Sequence, residues 1–198
     1  LEMEKRQWMA EMKASMAAEQ PATGDAVVEE PVRHLMMHTE YADLVAVIKK
    51  QCAEYVKGNK GVKISNVMLI DELFMEFDIV LIKRMLNILF TNSQKFAAKN
   101  CHISVGLIRK DNGNVQIQVA DNGIGVADEY KPHMFDHTAG VDELELALVK
   151  DIIVAQGGTI EVKDNPGGGT IMVIDLPAKG MVEEAEMMDD DHADDEIK

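Results

Sequence analysis

The spacing of apolar residues predicts helices and strands that alternate along the chain. Apolar residues recur every three or four positions over 39–55 and from 78 to about 98, which is the period of one helical face. The turn DNGN between two alternating apolar runs is a strong hairpin signal. The remaining predicted elements are strands at 62–68, 73–77, 103–110, 115–121, 159–164 and 170–177, an irregular stretch at 123–140, and a helix at 143–156.

This order of elements predicts a two-layer α/β (α+β) sandwich, in which one mixed, mostly antiparallel sheet is covered on one face by helices. The 198 residues fit one domain of about 100–200 residues. Amphipathic spacing at 2–18, followed by a break with Pro and Gly, predicts an N-terminal helix and linker over 1–33, a remnant of a preceding domain. We therefore expect a domain at 34–178 and an acidic, disordered tail at 179–198.

Charge and cysteine content narrow the class of protein. The net charge of −15 disfavours binding to nucleic acid or to an anionic membrane surface. No apolar run approaches the roughly 20 residues that a membrane-spanning helix needs. Cys52 and Cys101 are too few for a disulfide framework and lie in no metal-ligand spacing. These features favour a protein of the reducing cytoplasm.

The helix predicted from residue 78 places Asn92, Lys95 and Phe96 on one face. An amide that continues a buried stripe needs a partner, because an unsatisfied buried polar group costs about 1–3 kcal/mol. A metal-bound phosphate is one such partner. The alternative is that the Asn92 amide caps a turn or bonds to a neighbouring backbone group, and the sequence of this segment alone favours that alternative.

Two glycine-rich segments carry a second candidate feature. Asp121 ends a predicted strand and is followed by Gly123 and Gly125 in a D-x-G-x-G pattern, and a run of three glycines precedes Thr170. Glycines allow close approach of backbone to a ligand, while a fixed carboxylate accepts a hydrogen bond from an amino group. Taken alone, each segment is equally typical of a tight turn.

Taken in order, these motifs resemble the ATPase domain of sensor histidine kinases, which has the GHKL or Bergerat fold. In that family an N box, N-A-x-K-F, precedes D-x-G-x-G, an F box, a glycine-rich lid and a G-T pair before the last strand. Here NSQKF at 92–96, DNGIG at 121–125, MFD at 134–136 and GT at 169–170 stand in the same order. The resemblance extends from about residue 40 to residue 177.

The resemblance implies that the matched residues bind ATP and Mg²⁺. Asn92 would hold the Mg²⁺ that bridges the phosphates, which suits an ion that takes few protein oxygens. Asp121 would accept from the adenine amino group and so discriminate against GTP, whose base presents a carbonyl there. The other implied contacts are Lys95 on the phosphate side, Phe96 beside the nucleotide, Gly123 and Gly125 in the glycine box, and Thr170, which would support the contact between Asp121 and adenine through water.

The resemblance also implies an activity and partners. The domain would transfer the γ-phosphoryl group of Mg·ATP to a histidine, chiefly by positioning and electrostatics. That histidine would lie on a dimerisation domain missing from this chain or supplied in trans, because His34 and His38 lack the surroundings of the family's phosphorylated histidine. A response regulator would receive the phosphoryl group. We expect the domain to lie in the cytoplasm, either by itself or as the cytosolic part of a membrane-bound sensor.

Two departures from the family pattern bear on activity. Ile88 lies one helical turn before Asn92, where hydrolysing relatives carry a Glu that activates water; isoleucine accepts no proton, so ATP hydrolysis is disfavoured. In the lid, Glu143 and Glu145 replace two glycines. A carboxylate about 4–6 Å from a phosphate costs on the order of 3 kcal/mol at an effective dielectric of about 20. We therefore expect weakened ATP binding, unless both glutamates point to solvent at the start of a helix.

Two other functions stay open at this point. The first is a pseudokinase, a docking or regulatory module of the same fold that binds ATP weakly or not at all. The second is a serine kinase that resembles anti-sigma factors and needs no histidine-bearing helices.

Overall fold

The computed structural model describes residues 35–97, 100–137 and 143–180, with the backbone alone at residues 143 and 144. In chain order the elements are β1 (Glu40–Asp43), α1 (Leu44–Gly58), β2 (Val62–Met68), β3 (Phe74–Phe77), α2 (Ile79–Lys95), β4 (Cys101–Arg109), β5 (Val115–Asp121), a 3-10 turn (Lys131–His133), α3 (Glu143–Ala155), β6 (Thr159–Asp164) and β7 (Thr170–Leu176).

Five strands form the main sheet, in the order β2-β4-β5-β7-β6. Strand β2 is parallel to β4, and the other neighbours are antiparallel. The predicted hairpin around DNGN is β4–β5, and the second predicted hairpin is β6–β7. In both cases the chain reverses where glycine and asparagine interrupt an alternating apolar run, as the sequence indicates.

The core lies between the helices and one face of this sheet. Every second residue of β5, from Val115 to Asp121, is buried, as period-2 alternation requires. Helix α2 faces the sheet with the stripe Leu81, Ile82, Met85, Leu86, Leu89, Phe90 and Ser93. The predicted two-layer sandwich with a mixed, mostly antiparallel sheet is thereby confirmed.

Element boundaries differ from the prediction near the first helix. Residues 40–43, predicted as helix, form β1, which pairs antiparallel with β3 in a separate two-stranded sheet. Asp43 ends this strand, and its carboxylate accepts from the backbone N–H groups of Val45 and Leu73, at 3.0 and 2.9 Å. This side chain therefore caps α1 and fixes its start at Leu44.

Helix α2 ends at Lys95, three residues before the predicted end. The backbone N–H of Phe96 still bonds to the Asn92 carbonyl, and Ala97 then forms an isolated bridge with Gly123. Helix α2 thus ends at the point where the chain meets the segment that follows β5.

The ends of the chain are described only in part. The predicted N-terminal helix and linker lie outside the described residues, as does the predicted tail from residue 181 onward. Before that point, the Lys179 carbonyl accepts from the Glu76 N–H at 2.8 Å, so the described fold continues to Gly180. No helix among the described residues is long and apolar enough to cross a membrane.

Candidate functional site

The Asp121 carboxylate stands at the end of β5 and is almost wholly buried, with 8% of the residue exposed. Its Oδ1 accepts from the backbone N–H groups of Gly123 and Thr170, at 2.8 and 3.2 Å. Its Oδ2 accepts from the hydroxyls of Thr170 and Ser93, at 2.6 and 3.3 Å. Each oxygen has two donors, which matches the roughly four acceptor positions of a carboxylate. The side chain is therefore held at a fixed position by three separate segments.

Glycines allow these segments to approach one another. A Cβ on Gly169, whose φ is +92°, would lie 2.2 Å from the Asp121 carbonyl oxygen. A Cβ on Gly123 would lie 2.9 Å from both Asp121 Oδ1 and the carbonyl oxygen of Phe96. Gly125 also has a positive φ, of +77°, and a Cβ there would lie 3.5 Å from the Gly169 carbonyl oxygen. The glycine pattern therefore serves close backbone packing around the carboxylate.

The turn between β6 and β7 holds the backbone of Asp121 as well. Asn165 Nδ2 donates to the Asp121 carbonyl at 2.7 Å. The N–H of Asn165 donates to the Gly169 carbonyl at 3.1 Å, and its own carbonyl accepts from the Gly168 N–H at 2.8 Å. One asparagine thus bonds the turn to itself and to the end of β5.

The last turn of α2 presents the remaining predicted residues. Asn92 is half-buried, and no hydrogen bond to its side chain occurs within the described residues. Lys95 is exposed, with Nζ 5.4 Å from the centroid of the Phe96 ring. The Phe96 carbonyl accepts from the Ile124 N–H at 3.2 Å, which joins the N box directly to the glycine box.

Polar contacts between α1 and α2 fix this end of α2. Gln51 donates to the Asn87 side chain at 2.7 Å, and the Tyr55 hydroxyl donates to Gln94 Oε1 at 2.8 Å. The same hydroxyl lies 3.3 Å from Thr91 Oγ1. Asn87, Thr91 and Gln94 lie on one face of α2, and their contacts with α1 fix the rotation of α2 about its own axis.

The segment after the glycine box is tied to the same region. Met134 and Phe135, the F box, are buried in the core. Lys131 binds the carboxylates of Asp128 and Asp164, the latter at 2.7 Å and directly before Asn165. Hydrogen bonds to these two carboxylates raise the pKa of Lys131 and keep the amine charged.

The lid region is described in part. Helix α3 begins at Glu143, so Glu143 and Glu145 both lie in its first turn, and the Glu145 side chain is exposed. Ile88 lies on α2 one turn before Asn92 and packs partly against the core. The helical turn before Asn92 therefore presents an aliphatic side chain, which accepts no proton.

Most predicted site residues are brought together. Hydrogen bonds join Asp121, Gly123 and Thr170, and the bridge between 97 and 123 places Phe96 beside them. Asn92 and Lys95 make no described contact with Asp121; they lie on the same helical turn as Ser93, which does. The roles implied for these residues in ATP and Mg²⁺ binding stay predictions.

Sequence reasoning missed two residues that contact Asp121. Ser93 stands where the family pattern has Ala, and it continues the stripe of Leu86, Leu89 and Phe90, so a polar residue on that stripe was a usable signal. Asn165 precedes a Pro-Gly turn, and nothing local connects it with a residue 44 positions earlier.

The arrangement fits a purine nucleotide with a hard cation. A buried carboxylate at a strand end is chemically able to accept from an amino group, and an amide oxygen is a ligand type that Mg²⁺ accepts. The described residues contain no group of three or more His, Cys, Asp or Glu that could hold a metal.

Comparison with known proteins identifies the family. Residues 77–180 match the model of histidine kinase-, DNA gyrase B- and HSP90-like ATPases, and the chain belongs to this family. The sensor protein CiaH of Streptococcus pneumoniae is 36% identical over 109 residues, which cover 50% of this chain and 24% of CiaH. The sensor histidine kinase YkoH of Bacillus subtilis is 32% identical over 114 residues, which cover 52% and 24%. The chain thus spans about a quarter of the length of these relatives.

Solved structures agree on the fold. The mycobacterial sensor histidine kinase MprB superposes with a TM-score of 0.63 at 20% identity, covering 73% of this chain and 100% of that structure. Full-length ShkA in complex with AMPPNP gives a TM-score of 0.66 at 22% identity, covering 75% and 33%. These likenesses confirm the predicted GHKL fold.

Proposed function

We propose that the described domain binds Mg·ATP as the catalytic domain of a two-component sensor histidine kinase. The observation that carries the proposal is the buried Asp121 carboxylate, which receives donors from the N box, the glycine box and the last box at once. In this proposal the adenine N6 amino group donates to Oδ2 in place of the Ser93 hydroxyl, whose contact of 3.3 Å is the longest of the four, and this hydrogen bond selects ATP. The carbonyl of guanine would instead face a negative oxygen, which is repulsive.

The last turn of α2 forms the phosphate end of the site in this proposal. The side-chain oxygen of Asn92 would hold Mg²⁺, and the exposed Lys95 would attract the phosphates. Mg²⁺, when bound, supplies neutralisation of charge on the phosphate oxygens. Phe96 follows Lys95 directly in the sequence, and its carbonyl accepts from the Ile124 N–H of the glycine box.

The chain's own residues contribute positioning rather than proton transfer. Ile88 leaves the helical turn before Asn92 without a base that could activate water. A histidine nitrogen attacks the γ-phosphorus without such help, so phosphoryl transfer to a histidine is favoured over hydrolysis. The acceptor would come from a histidine-bearing dimerisation domain, and a response regulator would take the phosphoryl group onward.

The first turn of α3 favours a second candidate, a pseudokinase of the same fold. Two carboxylates, Glu143 and Glu145, stand at a helix N-terminus where the family pattern has glycines. The exposure of Glu145 supports orientation to solvent for that residue, which lowers its expected cost. Glu143 then decides how far the phosphate end is weakened.

Calorimetric titration of the whole chain with Mg·ATP tests the proposal. Saturable binding that Asp121→Asn weakens by about tenfold or more supports it, because one hydrogen bond to a charged group contributes about 1.5–3 kcal/mol. Absence of binding both to the original chain and to the Glu143→Gly/Glu145→Gly variant contradicts it. Glu54→Gly, at an exposed glutamate of α1, is the control for the cost of glycine in a helix.

The same titration separates the two candidates. If the double glycine variant binds Mg·ATP at least tenfold more tightly than the original chain, the lid glutamates weaken nucleotide binding and the pseudokinase is favoured. If it binds equally well, both side chains point to solvent and a catalytic role stands. Transfer of phosphate from ATP to an added histidine-bearing domain then tests the reaction itself.

A further inference from the structure

The regular backbone hydrogen bonding between β5 and β7 stops at the site. Regular pairing of these strands ends at Ala120 with Ile171. At the next position the Thr170 N–H donates to the side chain of Asp121, through Oδ1, at 3.2 Å. The Asp121 carbonyl accepts from Asn165 Nδ2 at 2.7 Å. A side-chain amide thus serves the carbonyl of Asp121 while the Thr170 N–H serves its carboxylate.

This exchange of partners needs a donor at position 165. A buried carbonyl without a donor is costly, so without Asn165 the Asp121 carbonyl would compete for the Thr170 N–H, which already bonds to the carboxylate of the same residue. That competition would withdraw one of the two donors on Oδ1 and release the carboxylate on that side. The turn keeps the Asn165 side chain in place, because its N–H and C=O are both bonded within the turn, to Gly169 and Gly168.

We propose that Asn165 is a positioning residue that sets the purine selectivity of the site by holding the Asp121 peptide while the Thr170 N–H holds its carboxylate. This inference rests on the proposed function, in which Asp121 reads the adenine amino group. Asn165 acts through Asp121 and touches neither the base nor the phosphates. Its loss therefore weakens discrimination between adenine and guanine and leaves the phosphate end unchanged.

The test compares the affinities of the whole chain for Mg·ATP and Mg·GTP. Both are measured by NMR titration with nucleotide concentrations up to the millimolar range, so that weak binding is detected. Asn165→Ala removes the donor, and the isosteric Asn165→Asp places an acceptor against the carbonyl. We expect either change to weaken ATP about tenfold, to leave GTP within about twofold, and to shift the Thr170 amide resonance before any nucleotide is added. Asn112→Ala, in the β4–β5 turn, is the matched control, since among the described residues the Asn112 side chain accepts only a local bond from the Asn114 N–H.

Three results separate the possible failures. If both nucleotides lose affinity equally, Asn165 has a merely structural role and the inference is overturned. An unchanged ratio of ATP to GTP affinity in both variants overturns it too. If the original chain does not distinguish ATP from GTP and Asp121→Asn changes neither affinity, the proposed function fails instead. Should Asn165→Asp not fold, the milder Asn165→Ala carries the same comparison.

Discussion

Alanine at position 169 is the most severe single methyl addition that the site offers. Its Cβ would lie 2.2 Å from the Asp121 carbonyl oxygen and 2.5 Å from Oδ1, well inside contact distance. The φ of +92° adds a backbone cost of about 1–2 kcal/mol for any residue with a Cβ. Displacing the neighbouring backbone adds about 1–3 kcal/mol, as overpacking of a tight core does. The expected loss of unfolding free energy is therefore about 2–5 kcal/mol.

Urea denaturation followed by circular dichroism measures this loss. The matched control is Gly167→Ala in the same turn, where an added Cβ meets nothing within 4 Å and φ is not positive. We expect the control to stay within about 0.5 kcal/mol of the original chain. If Gly169→Ala is as stable as Gly167→Ala, the close approach of the turn to Asp121 is wrong, and with it the geometry of the site.

Three further predictions concern contacts around the site and core. Ser93→Ala removes one donor to the buried site carboxylate and should lower the unfolding free energy by about 1 kcal/mol. Ser65→Ala is the control: Ser65 is exposed and its hydroxyl lies 2.9 Å from His102 Nε2, so water replaces that contact and the free energy should change little; equal values in a urea titration would contradict the Ser93 contact. Tyr55→Phe removes the hydroxyl that links α1 to α2 and should lower the unfolding free energy by about 1 kcal/mol in the same assay. A change near zero would contradict that link. Burial raises the pKa of Cys52 to about 12 and also raises that of Cys101, so neither thiol should react with a disulfide reagent at pH 8 until the protein unfolds; fast labelling of the native chain would refute this.

Local patterns predicted the parts of the fold that local physics determines. Period-2 alternation and Asn-Gly turn chemistry fixed the β4–β5 hairpin, and the stripe on α2 fixed its buried face. Strand β1 was mistaken for helix because its four residues are extended only through pairing with β3, more than 30 residues later. Such pairing outweighs the weak local preference of a short segment.

The site was predicted as far as its residues stand in a recognisable order. Asp121, Gly123 and Thr170 were found from their motifs and are joined by hydrogen bonds. Ser93 and Asn165 were missed, because their importance arises only from the distance to a carboxylate elsewhere in the chain. Side chains that act on a distant residue leave little trace in a single sequence.

The central claim is that Asp121 and Asn92 bind opposite ends of one nucleotide. A comparison of adenosine and Mg·ATP affinities in Asp121→Asn and Asn92→Ala, by NMR titration of the whole chain, tests it most directly. We predict that Asp121→Asn weakens both ligands, and that Asn92→Ala weakens Mg·ATP while leaving adenosine unchanged. Equal effects of the two substitutions on adenosine, or no effect of either on Mg·ATP, would contradict the claim.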